Sequence, residues 1–242
     1  MTAITGNNQK KESSRVELFS DGVFAIAITL LVLELIQVLH AKTETGLVTT
    51  CLHHWQSFLA FFIGFITILI CWINHHIAFE FIRKVDTKFL WVNGFLLFVV
   101  TLTPFPTAIL AEYLHKESTI ALAVFGFNYI LISTAANGIC SYAYRHHLIA
   151  EEDRPYFQSY HRIYRYAIYY TAGAFCICFI STWVSIGLYI ILFILFSAPK
   201  ELIVRLEKIR RWKRKRAKYK RIAGIKKARM HNTGFVLPGR SY

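Results

Sequence analysis

Apolar residues fall into blocks along the chain, and short polar connections separate the blocks. Four blocks are plain, at residues 16–37, 56–80, 89–111 and 119–143. Each is close to the ~20 residues that a helix needs to cross ~30 Å of hydrocarbon. The pattern therefore predicts four membrane-spanning helices. Pro104 and Pro106 are expected to bend the third helix near its outer end.

A further apolar stretch, residues 164–198, is 35 residues long. One straight helix of that length would overshoot the bilayer at ~1.5 Å per residue. The string STWVSIG, residues 181–187, supplies small polar residues and an interfacial Trp, as a tight hairpin would. We therefore expect two spans, at 163–181 and 184–203. The predicted fold class is all-α, a polytopic membrane protein with six transmembrane helices.

Composition and charge agree with this prediction and orient it. Hydrophobic residues make up 55% of the 242 residues and aromatic residues 16%, above ordinary soluble usage. With the amino terminus inside, 26 of the 28 Lys and Arg residues lie on the inner side, and Lys42 and Lys116 remain outside. Inner loops are enriched in basic residues. We expect a multi-pass protein of the cell (plasma) membrane with both termini cytoplasmic.

The predicted organisation is a cytoplasmic segment 1–14, a transmembrane domain 15–203 and a basic cytoplasmic tail 204–242. The tail is densest in basic residues at 205–229, and it carries most of the formal net charge of +14. Such juxtamembrane stretches are attracted to anionic lipid headgroups, which is the interpretation we favour. Binding of a nucleic acid and a role in assembly are the less favoured alternatives.

The sequence offers little material for catalysis. It contains no GxSxG, HExxH, Gly-rich phosphate loop or CxxC motif. Three adjacent His pairs occur, at 53/54, 75/76 and 146/147. Neighbouring helical residues point about 100° apart, so such a pair cannot chelate a metal as His residues at i and i+4 do. Neither an enzyme, nor a metal site, nor a cofactor is predicted.

The first helix has two faces. At 100° per residue, Ile26, Leu30 and Leu33 form one apolar stripe, and Thr29 lies beside it. Asp21 and Ser20 lie roughly 120–140° from this stripe. We therefore expect the acid to face other helices of the bundle.

The second helix offers partners for that acid. It runs back across the membrane, so its late residues lie at the depth of Ser20 and Asp21. The polar side chains there belong to Trp72, Asn74, His75 and His76. Polar groups within a membrane normally pair inside the bundle. A clamp between the two helices is the favoured interpretation; Arg83 is an alternative partner for Asp21, and a proton relay is an alternative role.

Three stretches carry a resemblance to a known family. They are RVELFSDGVFAIAITLLVLEL from Arg15, WINHHIAF from Trp72 and LLFVVTLTPFPTAILAEY from Leu96. The first resembles the first-helix signature of the endosomal and lysosomal potassium channel family, transmembrane protein 175, in its single-repeat prokaryotic branch. The similarity extends over residues 15–112, and the later helices match in pattern.

The resemblance implies a potassium-permeable channel, a homotetramer of six-helix subunits with helix 1 lining the pore. Selectivity and gating would arise at rings formed by Ile26, Leu30 and Leu33, with Thr29 beside them. K⁺ would be the permeant ion. The residues implied to hold helix 1 in place, together with the polar candidates on helix 2, are Arg15, Phe19, Ser20, Asp21, Trp72, Asn74, His75 and His76.

Two other classes of membrane protein remain as alternatives. A secondary transporter usually has internal repeats and broken helices at mid-depth, and the sequence shows neither. A structural membrane protein that conducts nothing is the other alternative, because Ile and Leu at helical spacing are also typical of ordinary packing.

Overall fold

A computed structural model describes residues 2–40, 46–114 and 116–197. The described residues are helical throughout apart from short connections and one isolated antiparallel bridge between Ile82 and Ile149. The predicted tail at 204–242 and the end of the sixth predicted span lie outside the described residues. The described part of the chain forms eight helices: α1 Thr2–His40, α2 Leu47–His53, α3 Trp55–Phe81, α4 Thr87–Thr101, α5 Pro104–Tyr113, α6 Ser118–Arg145, α7 Arg154–Cys178 and α8 Thr182–Phe196.

Among the described residues, four segments are long and apolar enough to cross a membrane: Glu12–Leu33, Trp55–Phe81, Thr87–Tyr113 and Ser118–Arg145. The third combines α4 and α5. Helix α7 is not among them because its first half carries several charged residues. Helix α8 has 15 residues, which at ~1.5 Å each extend for only about 22 Å. The connection between α7 and α8 is short, residues 179–181, so Trp183 and Gly187 of the expected hairpin lie within α8.

Proline separates α4 from α5. Pro104 is the first residue of α5 and, lacking an N–H, leaves carbonyls of the preceding turn without helical partners. The Thr101 hydroxyl donates to the Phe98 carbonyl at 2.8 Å, and the Thr107 hydroxyl donates to the Thr103 carbonyl at 2.6 Å. Both carbonyls also accept a backbone N–H, from Leu102 and Thr107 respectively, so the hydroxyls add a second donor on each side of the break.

Helix α1 packs against α3 and α4. Phe24, Ala27 and Leu31 are its fully buried apolar residues. Gly64 of α3 allows the close approach, since a Cβ at this position would lie 3.1 Å from Leu31 Cδ2 and 3.0 Å from Thr107 Cγ2. One face of α1 is therefore committed to the interior of the subunit.

Backbone hydrogen bonds join the connections at one end of the bundle. The Arg83 and Lys84 N–H groups both donate to the Leu148 carbonyl, at 2.9 and 3.3 Å. The Ser13 hydroxyl of α1 donates to the Ile82 carbonyl at 3.0 Å. The α3–α4 connection is thereby tied to the α6–α7 connection and to the start of the apolar part of α1.

Candidate functional site

The apolar stripe of α1 lies on the outside of the subunit. Ile26, Leu30 and Leu33 are 59%, 42% and 52% exposed, in contrast to the buried Phe24 and Leu31 of the same helix. Large apolar side chains that are this exposed are available to lipid or to another protein chain. Thr29 is exposed beside them, and its hydroxyl donates to the Ile26 carbonyl at 2.9 Å.

Asp21 faces α3. The indole Nε1–H of Trp72 donates to Asp21 Oδ1 at 2.8 Å. Arg83, the alternative partner considered from the sequence, instead lies 3.8 Å from a carboxylate oxygen of Asp153. The Trp72 ring also stacks on the His76 ring, with centroids 6.1 Å apart. The acid of α1 is therefore held by a neutral donor on the neighbouring helix.

Ser20 is joined to His75 through a residue on a third helix. Asn93 of α4 donates from Nδ2 to the Ser20 hydroxyl oxygen at 3.0 Å, and its Oδ1 lies 2.9 Å from His75 Nε2. Because Asn93 Oδ1 can only accept, His75 carries its proton on Nε2. All three residues are buried. We call Ser20, Asn93 and His75 the three-helix network.

Asn93 is the member that sequence reasoning missed. The signal available was an Asn within the apolar run LWVNGFLL of the third predicted span, since an isolated amide in such a run needs a partner inside the bundle. The Ser20 hydroxyl in turn donates to the Val16 carbonyl at 2.8 Å, so the network ends on the backbone of α1.

The rest of the His75 side chain is enclosed by aromatic rings. Phe79 lies with its ring centroid 4.5 Å away and Phe24 at 5.3 Å. Within the described part of the chain, His75 Nδ1 has no hydrogen-bond partner. The imidazole is therefore held by a bond at one nitrogen and by packing on its faces.

His76 and Asn74 point to different neighbours, as adjacent helical residues must. His76 Nδ1 lies 2.9 Å from Glu17 Oε1 of α1. Asn74 donates from Nδ2 to the Ile70 carbonyl at 2.8 Å and to the Phe196 carbonyl of α8 at 3.4 Å. The structure thus brings Trp72, His75 and His76 to the α1 side of α3 and places the Asn74 amide towards α8.

Arg15 and Phe19 lie outside the three-helix network. Phe19 is 67% exposed and Arg15 is also exposed. Both project towards the same outer side of α1 as the stripe. Among the residues that the structure describes, neither side chain forms a hydrogen bond or ion pair that would hold the helix, so that role stays a prediction from the resemblance.

The polar contacts of α1 orient its exposed apolar face. Among the residues that the structure describes, no three His, Cys, Asp or Glu side chains are grouped so as to hold a metal ion. Hydrogen bonds from Trp72 and Asn93 fix the rotation of α1 about its own axis. Because Asp21 and Ser20 are turned inward, the stripe of Ile26, Leu30 and Leu33 is turned outward.

Comparisons with known proteins identify the family of the chain. Residues 15–104 match the model of the endosomal/lysosomal potassium channel TMEM175. A potassium channel of Chamaesiphon minutus is 42% identical over 193 residues, which cover 78% of this chain and 95% of that channel. A potassium channel of Chryseobacterium is 30% identical over 205 residues, covering 80% of this chain and 95% of the relative.

A solved structure gives the same result for the fold. The crystal structure of a lysosomal potassium-selective channel TMEM175 homologue from Chamaesiphon minutus superimposes with a TM-score of 0.68 at 39% identity, covering 78% of this chain and 97% of that one. The resemblance found in the sequence is therefore confirmed, and the chain belongs to the TMEM175 potassium channel family.

Proposed function

We propose that this chain is a subunit of a potassium-permeable channel whose central pore is lined by α1. The observation that carries the proposal is the outward, exposed face formed by Ile26, Leu30 and Leu33 on a helix whose polar residues are held inside the subunit. The relatives described as potassium channels support K⁺ as the permeant ion.

One subunit cannot enclose a pore with a single helix face, so several copies must surround the axis. We propose a homotetramer, in which four copies of Ile26, Leu30 and Leu33 form stacked apolar rings. A hydrophobic constriction can close a pore by dewetting, without steric block. Conduction is passive and gating acts on these rings.

Preference for potassium arises, in this proposal, from partial dehydration. A narrow apolar ring admits an ion only after it sheds part of its water, which favours the ion with the weaker hydration. Thr29 lies next to Ile26 and Leu30 on the exposed face, and its hydroxyl oxygen replaces some of the lost water. This arrangement does not need a filter of backbone carbonyls.

The orientation in the membrane is part of the proposal. Six spans are formed by α1, α3, α4 with α5, α6, α7 and α8, and both termini face the cytoplasm of a cell whose plasma membrane holds the channel. The distribution of Lys and Arg supports this orientation. The basic stretch 205–229 lies against anionic headgroups of the inner leaflet.

The test is ion flux from liposomes containing the purified protein. We expect passive K⁺ flux that exceeds Na⁺ flux, and we expect Ile26→Asn to weaken the preference for K⁺. Ile120→Asn is the matched control, since Ile120 is 60% exposed on α6, away from the α1 stripe. Unchanged selectivity in Ile26→Asn contradicts a pore lined by this residue.

Other outcomes of the flux measurement separate the alternatives. Saturable uptake coupled to a second ion indicates a transporter, and the absence of any flux indicates a structural membrane protein. Crosslinking or mass measurement in detergent tests the number of subunits, for which we expect four.

A further inference from the structure

Cations are exposed at the α6–α7 end of the bundle without carboxylate partners. Arg162 and Arg165 are exposed on α7, and Arg145 is exposed in the last turn of α6. In the part of the chain that the structure describes, none of the three forms an ion pair. Three unneutralised guanidinium groups on adjacent helices create a local positive potential.

Of the three acids in the α6–α7 connection, Glu151 and Asp153 are engaged with other partners, and the exposed Glu152 forms no ion pair among the described residues. Glu151 accepts from Arg154 Nη1 at 3.1 Å and lies 3.4 Å from His147 Nδ1. Asp153 lies 3.8 Å from Arg83. The connection between α6 and α7 thus uses these carboxylates at its own end and leaves the face of α7 positive.

A contact between a buried histidine of α7 and a serine of α6 joins the two helices beside these cations. His161 of α7 lies 2.8 Å from the Ser141 hydroxyl of α6. Burial, followed by the charges of Arg165 and Arg145, lowers the pKa of His161. Arg145 follows Ser141 and Arg165 follows His161 at i+4, so each cation lies on the side of its helix that carries this contact.

Exposed tyrosines continue the same face of α7. Tyr166 and Tyr169 are 64% and 70% exposed, and they follow Arg162 at i+4 and i+7, so the three side chains share one side of the helix. An aromatic ring that ends in a hydroxyl suits the boundary between hydrocarbon and headgroups. Arg162 and Arg165 flank the beginning of the predicted span at residue 163, which is the depth of that boundary.

We propose that the α6–α7 basic face, formed by Arg145 of α6 with Arg162, Arg165, Tyr166 and Tyr169 of α7, binds the phosphate of an anionic phospholipid headgroup in the inner leaflet. Guanidinium groups bind phosphate oxygens through paired N–H donors. The tyrosine hydroxyls donate to oxygens of the headgroup region, and their rings contact the upper part of the acyl chains. A lipid fits better than free phosphate because the cations adjoin exposed aromatic surface.

This site is separate from the basic stretch 205–229, and it requires the proposed orientation but not ion conduction. The test uses the full chain in a nonionic detergent, with dioleoylphosphatidylglycerol or dioleoylphosphatidylcholine added. Bound lipid is counted by native mass spectrometry, and the melting temperature is measured with each lipid. We expect phosphatidylglycerol to bind and stabilise more strongly, and Arg162→Gln/Arg165→Gln to weaken its binding about tenfold or more.

The matched control is Lys84→Gln/Lys88→Gln, which removes the same charge from exposed positions near the α3–α4 connection. It should retain the binding of wild type, and Arg162→Lys/Arg165→Lys should retain more of it than the Gln variant. Because the variants change exposed residues, their melting temperatures without lipid should match wild type. The proposal would be overturned if the Lys84/Lys88 control lost as much lipid binding as the Arg162→Gln/Arg165→Gln variant, or if that variant lost none. It would also be overturned if inorganic phosphate stabilised the protein as much as phosphatidylglycerol, or if the Arg162→Gln/Arg165→Gln variant had an altered subunit number.

Discussion

The indole N–H of Trp72 donates to Asp21 Oδ1 across 2.8 Å and thereby joins α3 to the acid of α1. The bond explains how a carboxylate can lie within an apolar helix without facing lipid. It also gives α1 a defined rotation, because Asp21 and the stripe of Ile26 and Leu30 lie on different sides of the helix.

Replacing Trp72 with Phe keeps a large aromatic ring but removes the donor. Hydrogen bonds to charged groups contribute about 1.5–3 kcal/mol, so we expect a loss of stability in that range. The measurement is thermal or denaturant unfolding in detergent. The control is Trp91→Phe on α4, where the side chain is 77% exposed; equal losses in the two variants would show that the bond to Asp21 contributes little.

Replacing Asn93 with Ala breaks the three-helix network at its centre. Ser20 and His75 Nε2–H would both lose their partner while remaining buried, and each unsatisfied buried group costs about 1–3 kcal/mol. We expect a clear drop in unfolding free energy and, in liposomes, altered K⁺ flux because α1 can rotate. Asn137→Ala on α6 is the control, since Asn137 Oδ1 has no partner among the described residues; a drop as large as that of Asn93→Ala would argue against the network.

Gly64→Ala tests the close approach of α3 to its neighbours. The added methyl would lie 3.0 Å from Thr107 Cγ2 and 3.1 Å from Leu31 Cδ2, and overpacking of this kind typically costs about 1–3 kcal/mol. Gly138→Ala on α6 is the matched control, because its nearest contact would be an ordinary 3.5 Å to Val92 Cγ1. Stability is again read from unfolding in detergent, and no difference between the two variants would show that α3 can shift at no cost.

His161 predicts a pH dependence of stability. Burial, with the charges of Arg165 and Arg145, lowers its pKa in the folded protein, whereas an unfolded chain has a His pKa of about 6.5. The unfolded state therefore binds the proton first as the pH falls. The contribution of His161 to the free energy of unfolding is therefore fully present above its pKa in the unfolded chain. It is lost as the pH falls from that value through the lower pKa in the folded protein.

The measurement for this prediction is unfolding free energy across that pH range. In His161→Gln the slope should decrease, whereas His146→Gln, at an exposed position, should leave it unchanged. A slope that persists in His161→Gln would assign the pH dependence to other groups.

Helical periodicity was sufficient to predict the two faces of the first helix. The angle between Asp21 and Ile26 follows from 100° per residue, and the depth of Trp72 follows from counting residues across a membrane. Asn93 could not be paired in the same way, because its role depends on α4 packing beside both α1 and α3. Asn74 was expected near Asp21 because it lies at a similar depth in the membrane. The packing of α3 instead sets a rotation about the helix axis that directs the Asn74 amide to α8.

Hydropathy did not predict where helix α7 begins. Its polar residues face both the protein and the exterior, as the buried His161 and Tyr164 and the exposed Arg162 and Arg165 show. The mean hydropathy of the helix does not reveal this two-sided pattern. The beginning of α7 at Arg154 was therefore not apparent from the apolar block at 163–181. The connection at residues 179–181 is set instead by Ser181, whose side chain accepts from Val184 N–H at the start of α8.

If α1 lines the pore as proposed, the hydrogen bond from Thr29 to the Ile26 carbonyl would favour cations over anions. A threonine hydroxyl has one hydrogen and two lone pairs, and here the hydrogen is directed back to the helix. The oxygen therefore presents acceptors to the exterior and no donor. In the proposed pore, four such oxygens would meet a cation favourably and would leave an anion such as chloride without a donor, so the discrimination against anions needs no fixed charge on the axis.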